Sequence, residues 1–370
     1  MKLFEYMGKD LFSSFGITVP RGRMVSDSDE AAKVAGEIGG TVVVKSQILA
    51  GKRGKGGGIK FADNPDEARE AADQVLSMVL NGHKVEKVLV EEKIQIDKEL
   101  YLAITIDGSA KKPVIIASAQ GGMDIEEVPD EYIIKQHIDI TMGVYPFMAR
   151  EIGRQLGLTG QVSKEFNRLL PLLYKMFREK DAELVEINPL VISGDKLIAA
   201  DSKVTIDDDA LFRQKDIPYV EDRTNIEKQA HDLGLAFVEL DGNIAVMANG
   251  AGMSMGSLDT LAYYGGKPAN FLDAGGGTGV EGTAKAIELL LQTNPKVIFI
   301  NIFGGITRCD DVANALIQVK KAKEIPVPVV IRLVGTNEEE GVRIIKENGM
   351  EAYKVMQEAA AKAVEIANAN

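Results

Sequence analysis

The chain predicts an α/β protein in two parts, a mixed α/β first half followed by a doubly wound parallel sheet. Three observations predict it. Helical and strand patterns mix without regular alternation as far as Ile206. Beyond Gly242 the grammar changes: GNIAVMANGAG, KPANFLDAGGGTG and KVIFINIFGGITR are apolar runs that end in glycines and lead into helical stretches, and VPVVIRLVGTN makes a fourth. These units recur at roughly 27 to 30 residues, the size of a βα repeat, and share grammar without sharing sequence. Between the halves lies a polar, irregular stretch, DDDALFRQKDIPYVEDRTN, which reads as a linker and sets the expected parts at 1–226 and 227–370.

Composition narrows the partners. With 370 residues, 45% of them hydrophobic, the chain has ample core for two or three domains. A net charge of −12 argues against nucleic acid as the main partner, because a phosphate backbone needs clustered cations. No run approaches the ~18 apolar residues of a membrane span. The N-terminal MKLFEYMGKDLF alternates charge and apolar side chains at helical spacing, so it reads as the first helix of the fold and not as a leader. One cysteine, Cys309, excludes an internal disulfide and fits a reducing cytoplasm. His83, His137 and His231 are scattered without metal-ligand spacing.

The elements follow in order. Asp29–Ile38 and Asp66–Leu80 carry apolar residues at helical spacing; Lys87–Glu92, Glu99–Asp107 and Pro113–Ala119 read as strands, the last two joined by the turn DGSAKK. Helical patterns return over Pro146–Leu156 and Ser163–Glu179. A second hairpin, Glu183–Ile192 and Lys196–Ile206, closes the first half.

The most informative segment is VVVKSQILAGKRGKGGGIK, Val42 to Lys60. A β-branched run ends in Lys45, and a loop follows with three cations (Lys52, Arg53, Lys55) and five glycines. Glycines let backbone N–H groups approach an oxyanion, and the cations neutralise a polyanion such as a nucleotide's phosphates. No Gly-Lys-Ser/Thr closes the loop onto a helix, so it is not a Walker A loop. Taken alone, it reads equally as a solvated hairpin tip, and Lys45 as a snorkelling surface lysine.

The second hairpin supplies a companion. Gly194-Asp195 suits a two-residue turn, and a register that sets Ser193 opposite Lys196 sets Asn188 opposite Asp201, with Glu186 on the same face. Such oxygens suit Mg²⁺, which takes one or two carboxylates and completes its shell with phosphates and water; the bland reading is the polar face of an edge hairpin. Glu91, Glu92 and Glu99 flank a strand end, where a carboxylate can meet an adenine amino group or a ribose, or simply be solvated. In the second half, GGITRCDDVANALIQ and NGAGMSMG place glycines at helix starts, natural seats for phosphate or coenzyme. Arg308 there could add a charge-assisted bond, and Cys309 is a small packing residue or a thiol of lowered pKa.

With both halves in view, the chain resembles the β subunits of ADP-forming succinyl-CoA synthetase. The resemblance rests on LFEYMGKDLF, VVKSQILAGKRGKGGGIK, VLVEE…DKELYL, LVEINPLVI…DSKV…ALFRQ, NGAGMSMG, NFLDAGGG and NIFGGITRCD, in that order over nearly the whole chain. It implies an ATP-grasp domain followed by a flavodoxin-like CoA-ligase domain. It implies nucleotide-phosphate contacts at Lys45, Lys52, Arg53 and Gly54, base and ribose contacts at Glu91, Ile94 and Glu99, and Mg²⁺ ligands at Asn188 and Asp201. Glu186 matches the acidic residue that meets a phosphohistidine loop; Asn249, Gly305, Ile306 and Thr307 match carboxylate-substrate positions. Lys52 departs from the pattern, standing where the family commonly has glycine. Pro20 resembles the ATP-preferring forms.

The resemblance further implies a cytoplasmic enzyme that needs an α subunit, in an αβ or α2β2 assembly. That partner would carry the phosphohistidine and the main CoA site, and the substrates would be ATP, succinate and CoA, without nucleic acid or membrane. A β subunit of a malate–CoA or other ADP-forming acyl-CoA ligase would share these motifs and differ near Asn249 and Thr307.

Overall fold

In the computed structural model, which describes residues 1–49, 56–80, 82–277, 279–322 and 325–369, the chain divides between Asp222 and Arg223 into two units. In the first, α1 (Glu5–Ser14) leads to β1 (Gly22–Val25) and α2 (Ser28–Ile38), whose start is fixed by the Asp27 carboxylate accepting the Glu30 N–H. After β2 (Val42–Ser46) and β3 (Ile59–Ala62) comes α3 (Pro65–Leu76), capped by Asn64 with proline at its first position. The expected helix to Leu80 is therefore too long: β4 (Val79–Leu80) turns away to pair with β5 (His83–Lys84). With β6 (Val88–Glu92) these segments form a four-stranded antiparallel sheet in the order β1-β6-β2-β3. Its core consists of valines of β2 and β6 against Ala31, Val34, Ala68 and Val75 of the two helices; small helix residues let helix and sheet approach closely.

A second antiparallel sheet completes this unit. Its strands are β7 (Lys98–Asp107), β8 (Lys112–Ser118), β9 (Ile133–His137), then, after α4 (Pro146–Gln155) and α5 (Gly160–Glu179), β10 (Ala182–Ser193), β11 (Lys196–Ala199) and β12 (Lys203–Ile206). The order is β11-β10-β7-β8-β9, with β12 also on β10. Phe12 of α1, Ile152 of α4 and Phe166, Leu170 and Leu173 of α5 are fully buried with Leu100, Leu102 and Ile104 of β7. The single return strand expected over Lys196–Ile206 is in fact broken, with Ala200–Ser202 outside the ladder. The stretch expected to be a linker is largely part of this unit: Asp208–Arg213 forms a 3₁₀ helix, and Ala210, Ile217 and Val220 are buried.

The second unit opens with α6 (Asn225–Asp232), started by a capping box in which Thr224 and Glu227 satisfy each other's backbone N–H. It continues through β13 (Ala236–Glu239), β14 (Ile244–Ala248), α7 (Ala251–Tyr263), β15 (Asn270–Asp273), α8 (Gly279–Gln292), β16 (Val297–Gly304), α9 (Cys309–Ala322), β17 (Val329–Gly335), α10 (Glu338–Glu347), β18 (Ala352–Tyr353) and α11 (Met356–Ala369). The sheet runs β13-β15-β14-β16-β17-β18 and is parallel except for β13. Leaving the antiparallel edge aside, this is the doubly wound order 2-1-3-4-5. Helices α7 and α11 cover one face, α8, α9 and α10 the other. Covered on both sides, β14 is buried at every residue, which is why it reads as an unbroken apolar run.

Candidate active site

In the first unit the site is built on β10 and its return. Gly194, at φ 58°, makes the turn, and the ladder runs from Ser193–Lys196 to Leu190–Ala199 and resumes at Glu186–Lys203. Both stretches keep one register, so Asn188 and Asp201 face each other across the gap between them. The gap opens at Pro189, which brings no N–H to a ladder, and the pairing of β10 with β7 shifts at the same place.

A cavity of about 930 Å³ lies over this gap, lined by Glu99, Tyr101, Glu186, Asn188 and Asp201 among others. Tyr101 donates to Glu186 Oε2 at 3.0 Å. Burial, and then the Glu186 carboxylate, push the phenol far above its usual range, so it stays a neutral donor. Asn188 holds the loop after β8: Oδ1 accepts the Gly122 N–H at 2.8 Å, and Nδ2 donates to the Met123 carbonyl at 2.9 Å. Gly122 sits at φ 74°, and any side chain there would run into the Glu99 carboxylate. Asp201 Oδ1 accepts its neighbour's N–H, from Ser202, at 2.7 Å.

Lys45 neither snorkels nor stands free. Its ammonium contacts Glu5 Oε1 (3.0 Å), the Glu91 carboxylate and the Ala200 carbonyl (2.8 Å). Burial works to lower its pKa, but Glu5, Glu91 and Asp201 outweigh burial and hold it well above the ordinary lysine value. Glu91, one of the residues expected at the base or ribose, is 3% exposed, with one oxygen on Lys45 and the other on Lys9. Its neighbour Glu92 pairs with Arg21 instead. Ile94 lies half-buried in the link between β6 and β7, and Glu99 is the second residue of β7. Lys52, Arg53 and Gly54 lie outside the described residues.

Three residues of this neighbourhood lie within the quoted motifs, which assign them no role: Tyr101, Glu5 and Lys9. For the last two a signal exists. Glu5 and Lys9, four apart in α1, share the buried face of Phe12, an unusual place for two charges unless they are paired.

In the second unit the site lies at the carboxyl ends of β14 and β16, where the strand order reverses. Asn249, one residue past β14, spans to β16: Nδ2 donates to the Phe303 carbonyl (2.8 Å) and Oδ1 accepts the Phe303 N–H (2.9 Å). Asp273 Oδ1 accepts two N–H groups, from Gly250 (2.6 Å) and Gly275 (2.7 Å), tying two glycine turns together. Gly305 and Ile306 are exposed, Ile306 at 83%, while Thr307 is buried with its hydroxyl 3.4 Å from the Gly275 carbonyl.

Other groups at this helix start are already engaged. Arg308 makes a two-pronged bond to Asp310 (3.2 and 2.7 Å). The first N–H of α9 donates to the Thr336 carbonyl at 2.9 Å. Cys309 is fully buried, and burial pushes its thiol up, so of the two readings the packing residue holds.

Comparisons with known proteins cover both units. A family model described as an ATP-grasp domain matches residues 2–192, and one described as CoA-ligase matches residues 247–366. The chain is 45% identical over 371 residues to "Succinate--CoA ligase [ADP-forming] subunit beta" of Methanothermobacter thermautotrophicus, covering 99% of each chain. It is 46% identical over 385 residues to the protein of that name from Aquifex aeolicus, covering 100% of this chain and 99% of the relative. Among solved structures it is similar to ATP citrate lyase from Methanothrix soehngenii, with a TM-score of 0.71 at 20% identity over 98% of this chain and 99% of the other, a likeness of fold. With both domains matched in order and these identities held over nearly its whole length, the chain belongs to the family of β subunits of ADP-forming succinate–CoA ligase.

Proposed function

We propose that this chain is the nucleotide-binding subunit of a reversible, ADP-forming succinate–CoA ligase that works in the cytoplasm with an α subunit. The observation that carries the reading is the convergence of Glu99, Tyr101, Glu186, Asn188 and Asp201 on one cavity, which Glu5, the ion-pair partner of Lys45, also lines. The ATP γ-phosphoryl passes to a histidine nitrogen of the partner: an N–P bond forms, the bridging O–P bond breaks and ADP leaves. A succinate carboxylate oxygen then takes the phosphoryl group, giving succinyl phosphate and freeing the histidine. The CoA sulfur attacks the acyl carbon and phosphate departs.

Asn188 and Asp201 are hard oxygen donors suited to Mg²⁺, and Asn188 Oδ1 keeps one lone pair beyond the bond from Gly122. When bound, Mg²⁺ would neutralise charge on the phosphates. Among the described residues no group of three or more His, Cys, Asp or Glu could hold a metal.

In this reading Lys45 meets a phosphate, Lys52, Arg53 and Gly54 belong to the phosphate loop, and Ile94 and Glu99 face the base and ribose. Glu91 acts through Lys45 rather than on the ribose, since both its oxygens are on lysines. Glu186, oriented by Tyr101, meets the partner's histidine and accepts a hydrogen bond from its ring. At the second site Asn249 and the run Gly305, Ile306 and Thr307 receive the carboxylate substrate, with backbone N–H groups as donors.

The test is thioester formation by the co-expressed pair with ATP and CoA, comparing succinate with malate. Activity preferring succinate is expected. A clear preference for malate would replace the substrate, and no ATP-dependent thioester with any dicarboxylate would reject the ligase reading.

A further inference from the structure

The charged cluster around Glu5, which lines the cavity, contains a lysine to which the proposed reaction gives no part. Lys9, on α1, is 5% exposed, and its ammonium meets Glu5 Oε1 (2.8 Å), Glu91 Oε2 (2.6 Å) and the Ala200 carbonyl (2.8 Å). An ammonium has three donors and no acceptor, so Lys9 is saturated and takes no ligand itself. Lys45 contacts the same three groups: Glu5 Oε1, Glu91 through its other oxygen, and the Ala200 carbonyl. Two ammonium groups thus share two carboxylates and one carbonyl. The helix reaches this position because residue 8 is glycine, since a side chain there would collide with the Ser202 hydroxyl.

The sharing has a consequence for ligand binding. To reach a phosphate, Lys45 must release at least one of its three acceptors. A buried carboxylate left without a cation is strongly penalised, so Glu5 and Glu91 resist that release in proportion to what remains beside them. With Lys9 present, both stay within 3 Å of an ammonium. Without it, Lys45 would be the one cation that the described residues set on Glu91, and Glu91 would pin it.

We propose that Lys9 is a positioning residue of the nucleotide site: it is the standing counter-ion of Glu5 and Glu91, which releases Lys45 to a nucleoside di- or triphosphate, and it anchors the carbonyl preceding Asp201. The inference rests on the reading of Lys45 as a phosphate-binding group.

Its test combines calorimetric titration with Mg·ADP and thermal melting of the whole chain in four forms: unchanged, Lys45→Met, Lys9→Met and Glu5→Gln with Lys9→Met. Lys9→Met is expected to melt lower and to bind Mg·ADP about tenfold more weakly or worse, at least 1.4 kcal/mol. In the double variant the charges balance again, so stability recovers. Among the described residues Lys45 is then the only cation on Glu91, so binding stays weak. A purely structural lysine would instead let affinity return together with stability, and that result, or unchanged affinity in Lys9→Met, overturns the proposal. If Lys9→Met does not fold, the double variant decides alone. Lys45→Met separates the two readings. Unchanged affinity there removes the phosphate role of Lys45 and the proposal with it. Weakened binding in Lys45→Met but not in Lys9→Met removes only the role of Lys9.

Discussion

Asp201 lies where the return strand leaves the ladder, and that break lets its carboxylate line the cavity instead of continuing an edge. Asp201→Ala should abolish Mg²⁺-dependent nucleotide turnover in the assembled enzyme while the unfolding transition remains cooperative; undiminished turnover would remove the metal assignment. Two predictions concern α9. Cys309 is buried with a raised pKa, so alkylation of the folded chain should be slow and become fast in denaturant, and rapid native labelling would contradict the packing role. Asp310 is held at about 2, chiefly by its bonds to Arg308 and further by Asn337, against the opposing effect of burial. An unfolded aspartate titrates near about 3.9, so this carboxylate's stabilisation is full above that pH and disappears as pH falls toward about 2. Asp310→Asn should therefore lower the melting temperature at neutral pH and converge with the unchanged chain near pH 2. Parallel melting curves at all pH values would show that the ion pair contributes nothing.

The paired ends of β16 and β17, Gly304 opposite Gly335, carry the turn proposed to meet the carboxylate. Gly335, at φ 109°, lies against the backbone of Gly304, and a side chain there would overlap the Gly304 carbonyl. Gly335→Ala should destabilise by about 1–3 kcal/mol and displace the turn of Gly305–Thr307, read as a lower melting temperature and a higher KM for the carboxylate. A drop in stability with KM unchanged would detach the turn from substrate binding. This is also the scale at which the sequence speaks best and fails most instructively. Gly194-Asp195 fixes a hairpin register locally, so the facing of Asn188 and Asp201 is legible from the residues alone. The broken return strand is not, because the residues of Lys196–Ile206 read as one strand and the break answers to Pro189 on the partner strand. The antiparallel β13 is not either, since AFVE carries no mark of strand direction. Glu91 shows the deeper reason: its two lysine partners lie 46 and 82 residues away, Lys45 brought beside it by the pairing of β2 with β6 and Lys9 by the packing of α1.

At the scale of the whole chain, the proposed function assigns the two units different parts of one reaction. The first offers an oxygen-rich cavity with cationic neighbours, the second a glycine-edged switch point, proposed above to receive the carboxylate. Neither of the described sites contains a histidine: His83 is in the β4–β5 ribbon, His137 pairs with Asp107 at the end of β9, and His231 is on α6. In the proposed reaction the phosphoryl group rests on the partner. The most direct measurement is labelling with γ-³²P ATP of this chain alone, the candidate α subunit alone and the two together, followed by separation of the chains and exposure to acid. The expected result is acid-labile label on the α subunit, strongest when both chains are present and removed by succinate with CoA. Acid-labile label on this chain, formed without the partner, would contradict the divided site.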